Sequence, residues 1–245
     1  MDVAELREFY ASPLGKATRR LISEKLRPKL ADARDATLVG LGYASPYIDD
    51  MADTTQRSLS FMLARQGVVQ WPDQGDIASA LVDEHDLPLL ESAVDLALVV
   101  HGLELTDRPL EMLQEVWRVM APQGRLILVV PNRRGVWASF DSSPFGFGQP
   151  FSRSQLSGLL KEAQFSAQSW SSALYIPPIS RKYILGSASV LEKAGEWLTP
   201  RLSGVIIVEA VKQVYAFSSG KRAKRVVTRL RPALLPSPAR FHSLL

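Results

Sequence analysis

Two closely spaced glycines follow a short apolar run, at the point where the run must turn. The segment reads Ala36-Thr-Leu-Val-Gly40-Leu-Gly42-Tyr-Ala44. Glycine permits a tight turn and lets a ligand approach the backbone closely. The segment therefore predicts a nucleotide-like ligand at the mouth of a parallel sheet, in contact with Gly40 and Gly42. The alternative is a turn that needs glycine only for its own geometry.

Polar side chains follow two further apolar runs. Asp83 opens a polar turn, where it either contacts the ligand or caps the turn. His101 follows the near-continuous apolar run 94–100, at a strand end of the kind where α/β sheets place their sites. Its imidazole is a candidate general base, or it hydrogen-bonds a loop carbonyl. Glu104, three residues later, shares this location.

The segment that follows the apolar run 125–130 is first basic and then rich in aromatic residues. Arg133 and Arg134 are candidates to clamp an anionic substrate, because guanidinium groups match carboxylate and phosphate geometry. A solvated loop is the alternative for this pair. Residues 131–151 are rich in glycine, proline and aromatics and are predicted to form a lid-like loop. Trp71 either stacks on a ligand base or is simply buried.

The elements that must position these groups follow from the hydrophobic pattern. Apolar residues at helical spacing predict an N-terminal helical segment over 1–30, broken at Pro13 and Gly15. Apolar runs predict strands at 36–41, 58–63, 78–82, 94–100, 125–130, 167–175 and 205–217. Further helices are predicted at 46–55, 107–120, 152–163 and 181–198. This alternation predicts an α/β fold, an open twisted Rossmann-like sheet of about seven mostly parallel strands with helices on both faces.

Composition excludes several classes of function. The chain has no cysteine, which excludes disulfides, zinc–thiolate sites and thiol catalysis, and its three scattered histidines argue against a dedicated metal site. No apolar run approaches the roughly 20 residues of a transmembrane helix. The first residues are acidic where a signal peptide would be basic. These features predict a cytoplasmic protein without a transmembrane segment.

The charge is divided unevenly along the chain. Residues 218–245 contain seven of the 29 basic residues and no acidic one, which leaves 22 basic and 25 acidic residues in 1–217. The pattern predicts one domain over 1–217 and a basic, proline-containing, disordered tail over 218–245. The tail either docks on a protein partner or only solubilises the chain. A nucleic-acid partner is not expected, because the body is mildly acidic and the tail lacks interleaved aromatics.

Taken together and in order, these motifs resemble a class I S-adenosylmethionine (SAM)-dependent methyltransferase of the small-molecule type, over about residues 30–175. The resemblance is carried by the glycine turn, by Asp83 with its Leu87-Pro88 turn, by the His101 segment and by the stretch from Glu115 to Gly124. It implies SAM as cofactor, contacted by Gly40, Gly42 and Asp83. It also implies methyl transfer to a small acceptor, which Arg133 would make an anionic one, with His101 as the catalytic candidate.

Two departures from the family pattern motivate an alternative. Leu38 stands where the family has an acid, and the second strand leads into Arg65-Gln66 without the carboxylate that binds the ribose. Glu84 or Asp50 are the candidate substitutes. The alternative function is a non-catalytic methyltransferase-fold protein that serves as partner or regulatory subunit of another enzyme. The resemblance to this family also implies a candidate protein partner, a glyoxalase II-type hydrolase.

Overall fold

The computed structural model describes residues 1–31, 33–49, 55–140, 143–179, 187–198 and 202–214. The predictions for the tail over 218–245, for Asp50 and for the first residues of the 181–198 helix lie outside the described residues. The described residues belong to one compact unit, which ends at Val214.

Seven strands and six α-helices make up the described part of the chain. The strands are β1 (Thr37–Gly42), β2 (Arg57–Leu63), β3 (Ser79–Val82), β4 (Val94–Val100), β5 (Met120–Pro131), β6 (Phe165–Ala173) and β7 (Val205–Lys212). The helices are α1 (Val3–Ala11), α2 (Pro13–Leu30), α3 (Ser45–Ile48), α4 (Pro109–Val119), α5 (Arg153–Glu162) and α6 (Ala188–Leu198). Two short 3-10 helices, Val136–Ser139 and Pro144–Gly146, lie in the segment after β5.

The strands form one sheet in the order β3-β2-β1-β4-β5-β7-β6. The first five are parallel, whereas β7 runs antiparallel to both β5 and β6. The predicted Rossmann-like sheet of seven mostly parallel strands is therefore confirmed. Because β4 is central and buried on both faces, it reads as a continuous apolar run rather than an alternating one.

Both faces of the sheet carry an apolar core. The first is covered by α1, α2 and α3, together with Trp137 and Phe145 from the segment after β5. The second is covered by α4 and α5. The carboxyl ends of the parallel strands meet at one edge, and the polar side chains that follow them lie there.

The N-terminal helical segment breaks at Ser12, next to the break predicted at Pro13 and Gly15. Ser12 ends α1, and its hydroxyl accepts a hydrogen bond from the Gly15 amide at the start of α2 (3.0 Å), while Pro13 fills the first position of α2. A Cβ at Gly15 would lie 1.9 Å from the Phe9 carbonyl oxygen, so only glycine fits the corner. The corner sets α1, and with it Tyr10, beside the carboxyl edge of the sheet.

Some predicted boundaries were wrong. The helix predicted at 46–55 is a single turn in the described residues, Ser45–Ile48. Strand β5 begins at Met120 rather than at 125 and continues past the turn that Gln123 makes at φ 65°. Local periodicity does not encode this extension, because it depends on pairing with β4. No described helix is long and apolar enough to cross a membrane.

Candidate functional site

The glycine turn packs directly against the end of β4. Gly42 has φ +83°, and a Cβ there would lie 2.3 Å from the carbonyl oxygen of Val100. The next amide, that of Tyr43, donates to the same carbonyl (2.7 Å). At Gly40 the tight neighbours are the side chains of Ala44 and Ile48. Contacts within the protein thus explain the need for both glycines, and their contact with a cofactor stays a prediction.

His101 lies in a buried hydrogen-bonded chain at the end of β4. Its Nε2 is 2.9 Å from the hydroxyl of Tyr10, which is in turn 2.8 Å from the hydroxyl of Tyr47. Its Nδ1 is 3.3 Å from Oε1 of Glu104, whose side chain is 1% exposed. Burial raises the pKa of both Tyr10 and Tyr47. His101 itself is 2% exposed, so its ring is enclosed by other side chains.

Protein side chains occupy the place of the missing acid at the end of β2. The amide Nε2 of Gln66 donates to the carbonyl of His101 (2.7 Å), which ties the end of β2 to the end of β4. Glu84, a candidate substitute, is buried and pairs with Arg65 (2.9 Å). Both side chains are buried, Gln66 at 3% and Glu84 at 4% exposure, so neither is open to a ribose in this conformation.

Asp83 lies in an exposed turn. Its Oδ1 accepts a hydrogen bond from the His85 amide (2.9 Å), and this bond lowers the pKa of the Asp83 carboxyl. The capping role considered from the sequence is therefore present, and the cofactor role of Asp83 stays a prediction.

The turn after Asp83 is anchored on α4. Oε1 of Glu115 accepts from the Leu87 amide (2.8 Å), and the Arg118 guanidinium donates to the carbonyls of Leu87 and Leu89 (3.1 Å each). The two side chains also pair with each other, with Nη2 of Arg118 2.6 Å from Oε1 of Glu115. Two motifs that are 28 residues apart in the sequence thus form one structural unit.

Glu115→Gln is expected to destabilise the protein by about 1–2 kcal/mol at neutral pH. The hydrogen bond from Arg118 holds the pKa of Glu115 below its ordinary value. A lowered folded pKa gives stability that is present above the unfolded pKa, about 4.3, and is lost as the pH falls through the folded pKa. The difference in free energy of unfolding between wild type and variant, measured by urea unfolding, should therefore disappear at acidic pH below about 4.3.

Glu111→Gln is the matched control, because Glu111 forms an i,i+3 pair with Arg108 on the same helix with both side chains exposed. Its effect is expected to stay below about 0.5 kcal/mol. Equal losses in the two variants at neutral pH would contradict the anchoring role.

An open cavity of about 810 Å³ lies beside the glycine turn. Its wall combines residues of α1, α2, the segment after β1 and the loop after β2: Arg7, Tyr10, Arg19, Tyr43, Ser45, Asp49, Trp71 and Asp73. Asp49 is central to it, because its Oδ1 accepts from Nε1 of Trp71 (2.6 Å) and its Oδ2 pairs with Arg19 (3.4 Å). Trp71 is buried, which is one of the two roles that the sequence left open for it.

Sequence reasoning missed Tyr10, Asp49 and Arg7 as members of the site. An acid seven residues after Gly42 was the one local signal for Asp49. Nothing local points to Arg7 or Tyr10, because the corner at Ser12 brings α1 to the cavity.

The segment 131–151 anchors its aromatic residues in the core. Trp137 is fully buried and donates from Nε1 to the Ile176 carbonyl (2.7 Å), and the ring of Phe145 packs at a tilt against that of His101, with ring centroids 4.7 Å apart. Nε of Arg133 donates to the Pro150 carbonyl (3.3 Å), and this hydrogen bond joins the two ends of the segment. The lid-like movement of 131–151 and the acceptor contact of Arg133 stay predictions.

Comparison with known proteins agrees with this architecture. A family described as a methyltransferase domain matches residues 39–128. A demethylmenaquinone methyltransferase of Paenarthrobacter aurescens is 27% identical over 129 residues, which is 50% of each chain. This chain thus spans about half the length of that relative.

Solved structures extend the likeness to most of the chain. The cyclase SpnF has a TM-score of 0.58 at 18% identity, with 82% of each chain covered. A SAM-dependent methyltransferase from Mesorhizobium loti has a TM-score of 0.55 at 14% identity, covering 77% of this chain and 96% of that one. At such identities the likeness shows the fold. Residues 39–128 thus match a methyltransferase domain, and the described residues have the fold of class I SAM-dependent methyltransferases.

The methyltransferase domain implies SAM as its cofactor, and the residues beside the glycine turn fit such a molecule. SAM combines a purine, a diol, a cationic sulfur and an amino acid end. The cavity offers Trp71 and Tyr43 as aromatic surface, Asp49 and Asp73 as carboxylates, and Arg7 as a cation. Its volume lies within the range of small-molecule sites.

Proposed function

We propose that the chain transfers a methyl group from SAM to a small acceptor, with SAM bound in the cavity beside Gly42. One observation supports this most. Tyr43 and Ser45, which directly follow the glycine turn of the matched methyltransferase domain, line the cavity. The bound cofactor supplies a methyl group on a positively charged sulfur. The chain's own residues bind it, orient it and hold the acceptor in line.

Asp49 is proposed to replace the ribose-binding acid that the sequence lacks after β2. It is a carboxylate on the wall of the cavity, held in place by the hydrogen bond from Trp71. Arg7 is proposed to bind the carboxylate of SAM, because a guanidinium matches that group's geometry. Gly40 and Gly42 stay in the proposal as residues of the turn that borders the cofactor, and Asp83, in the turn after β3, stays as a further cofactor contact.

His101 is proposed to act through Tyr10. The hydroxyl of Tyr10 is bonded to His101, and Tyr10 lies on the wall of the cavity. His101 is thus a positioning residue in this proposal, since its own ring is enclosed. The identity of the acceptor, the anionic character that Arg133 would favour, and the cytoplasmic location stay predictions.

The non-catalytic alternative is not favoured, because the matched domain and the curated relative are both methyltransferases. The docking role of the tail and the glyoxalase II-type partner stay predictions. Both concern residues 218–245, which lie outside the described residues.

Calorimetric titration of SAM and S-adenosylhomocysteine into the purified chain tests the proposal. Wild type is expected to bind both, and Asp49→Asn is expected to weaken binding about tenfold or more, as loss of a charged hydrogen bond costs about 1.5–3 kcal/mol. Asp76→Asn is the matched control. Asp76 is an exposed acid in the loop after β2, and it is not among the cavity residues.

Failure of wild type to bind either compound would overturn the cofactor assignment. Binding that Asp49→Asn and Asp76→Asn leave equally unchanged would keep SAM but remove Asp49 from the site.

A further inference from the structure

A second cleft, of about 390 Å³, lies elsewhere along the carboxyl edge of the sheet. The segment after β5, the first residues of α5 and the strands β6 and β7 form its walls. In the sheet, β5 and β7 lie two and three positions from β1. At the usual strand spacing this is about 10–14 Å, so the cleft is distinct from the cavity beside Gly42.

The chemistry of the cleft is cationic and rich in hydroxyl groups. Its polar lining consists of Asn132, two arginines and five serines, with no carboxylate: Arg134, Arg153, Ser152, Ser154, Ser171, Ser172 and Ser203. Neither arginine forms an ion pair with a carboxylate of the described residues. Two guanidinium groups that no described carboxylate neutralises favour an anion at this cleft, since each offers a planar fork of donors.

Backbone pairing brings the two arginines together although 19 residues separate them. Asn132 and Phe151 form an isolated parallel bridge, with the Arg133 amide donating to the Phe151 carbonyl (2.9 Å). The side chain of Asn132 fixes the turn on both sides. Its Oδ1 accepts from the Arg134 amide (3.2 Å) and its Nδ2 donates to the Ser203 carbonyl (2.8 Å).

A cation–π contact orients the second arginine. The Arg153 guanidinium carbon lies 4.7 Å from the centre of the Trp170 indole. Trp170 and Ile206 also give the cleft an apolar wall. The arrangement restricts the guanidinium before any ligand arrives, which lowers the entropy cost of binding.

We propose that this cleft binds a small organic anion. Arg134 and Arg153 bind its phosphate or carboxylate group, the serine hydroxyls complete the hydrogen bonds, and the apolar part packs on Trp170 and Ile206. The cleft volume exceeds what an inorganic ion needs and falls in the lower range of small-molecule sites. The site goes beyond the proposed methyl transfer and does not depend on it.

Calorimetric titrations with phenyl phosphate, benzoate and benzyl alcohol, all without SAM, test this assignment. At least one of the two anions is expected to bind, benzyl alcohol is not, and the tighter anion identifies the charged group. Arg134→Gln and Arg153→Gln are each expected to weaken the anion about tenfold or more. Circular dichroism melts verify that these exposed substitutions leave the fold intact.

One control variant removes a nearby positive charge without touching the cleft. Lys161→Gln changes the other end of α5 and is expected to bind within about twofold of wild type. Arg133→Gln, at the neighbour whose Nε donates to the Pro150 carbonyl, tests the rival position for the anion. If Arg133→Gln weakens binding as much as Arg134→Gln, the anion sits at the Arg133 site instead and the cleft assignment is wrong. No binding of either anion at millimolar concentration also overturns it, whatever the SAM titrations show.

Discussion

Gly42→Ala is expected to destabilise the protein by more than about 3 kcal/mol, and in practice to prevent folding. Two costs add at this position. The backbone has φ +83°, which disfavours any side chain, and the new Cβ would lie 2.3 Å from the Val100 carbonyl oxygen. The surrounding atoms are backbone of β4 and of His101, which cannot move aside without breaking the central strand pair. Yield of folded protein and urea unfolding measure the effect.

Gly75→Ala separates the two costs. Gly75 also has a positive φ, +93°, but a Cβ there would meet nothing within 4 Å. It is expected to lose only about 1 kcal/mol, the cost of the strained backbone. Similar losses at both positions would show that contact with β4 does not constrain the turn. The same geometry means that loss of activity on substituting Gly42 does not test cofactor binding, whereas Asp49→Asn does.

Tyr10→Phe is expected to destabilise the protein by about 2–4 kcal/mol, because it removes one hydroxyl that serves two buried partners. Tyr47 and Nε2 of His101 both lose a hydrogen bond, and both of these side chains are buried. Urea unfolding measures this loss. A double-mutant cycle with His101→Asn, an amide that tolerates the positive φ of position 101, is expected to be non-additive.

Tyr43→Phe is the control for this variant. Its ring lies 5.7 Å from that of Tyr10 and borders the same cavity, but its hydroxyl makes no hydrogen bond to a described residue. A change below about 0.5 kcal/mol is expected. If Tyr10→Phe is as mild as Tyr43→Phe, or additive with His101→Asn, then His101 is not held by Tyr10 and its proposed positioning role fails.

The sequence was sufficient for the features that one stretch of chain encodes by itself. The apolar run Val94–Val100, the turn at Gly42 and the helix corner at Ser12 each follow from local periodicity or backbone geometry. Their order along the chain predicted the parallel α/β sheet, and the structure confirms it. The same sequence patterns also identified His101 and the arginines after β5 as candidate site residues.

Tertiary structure alone decided which of these side chains can act. The corner at Ser12 places Tyr10 between His101 and the cavity, the loop after β2 brings Trp71 onto Asp49, and the bridge from Asn132 to Phe151 unites Arg134 with Arg153. These contacts join segments that are 19 to 91 residues apart. A pattern with a period of two or 3.6 residues records which face of an element is buried, but not which distant side chain will lie against it.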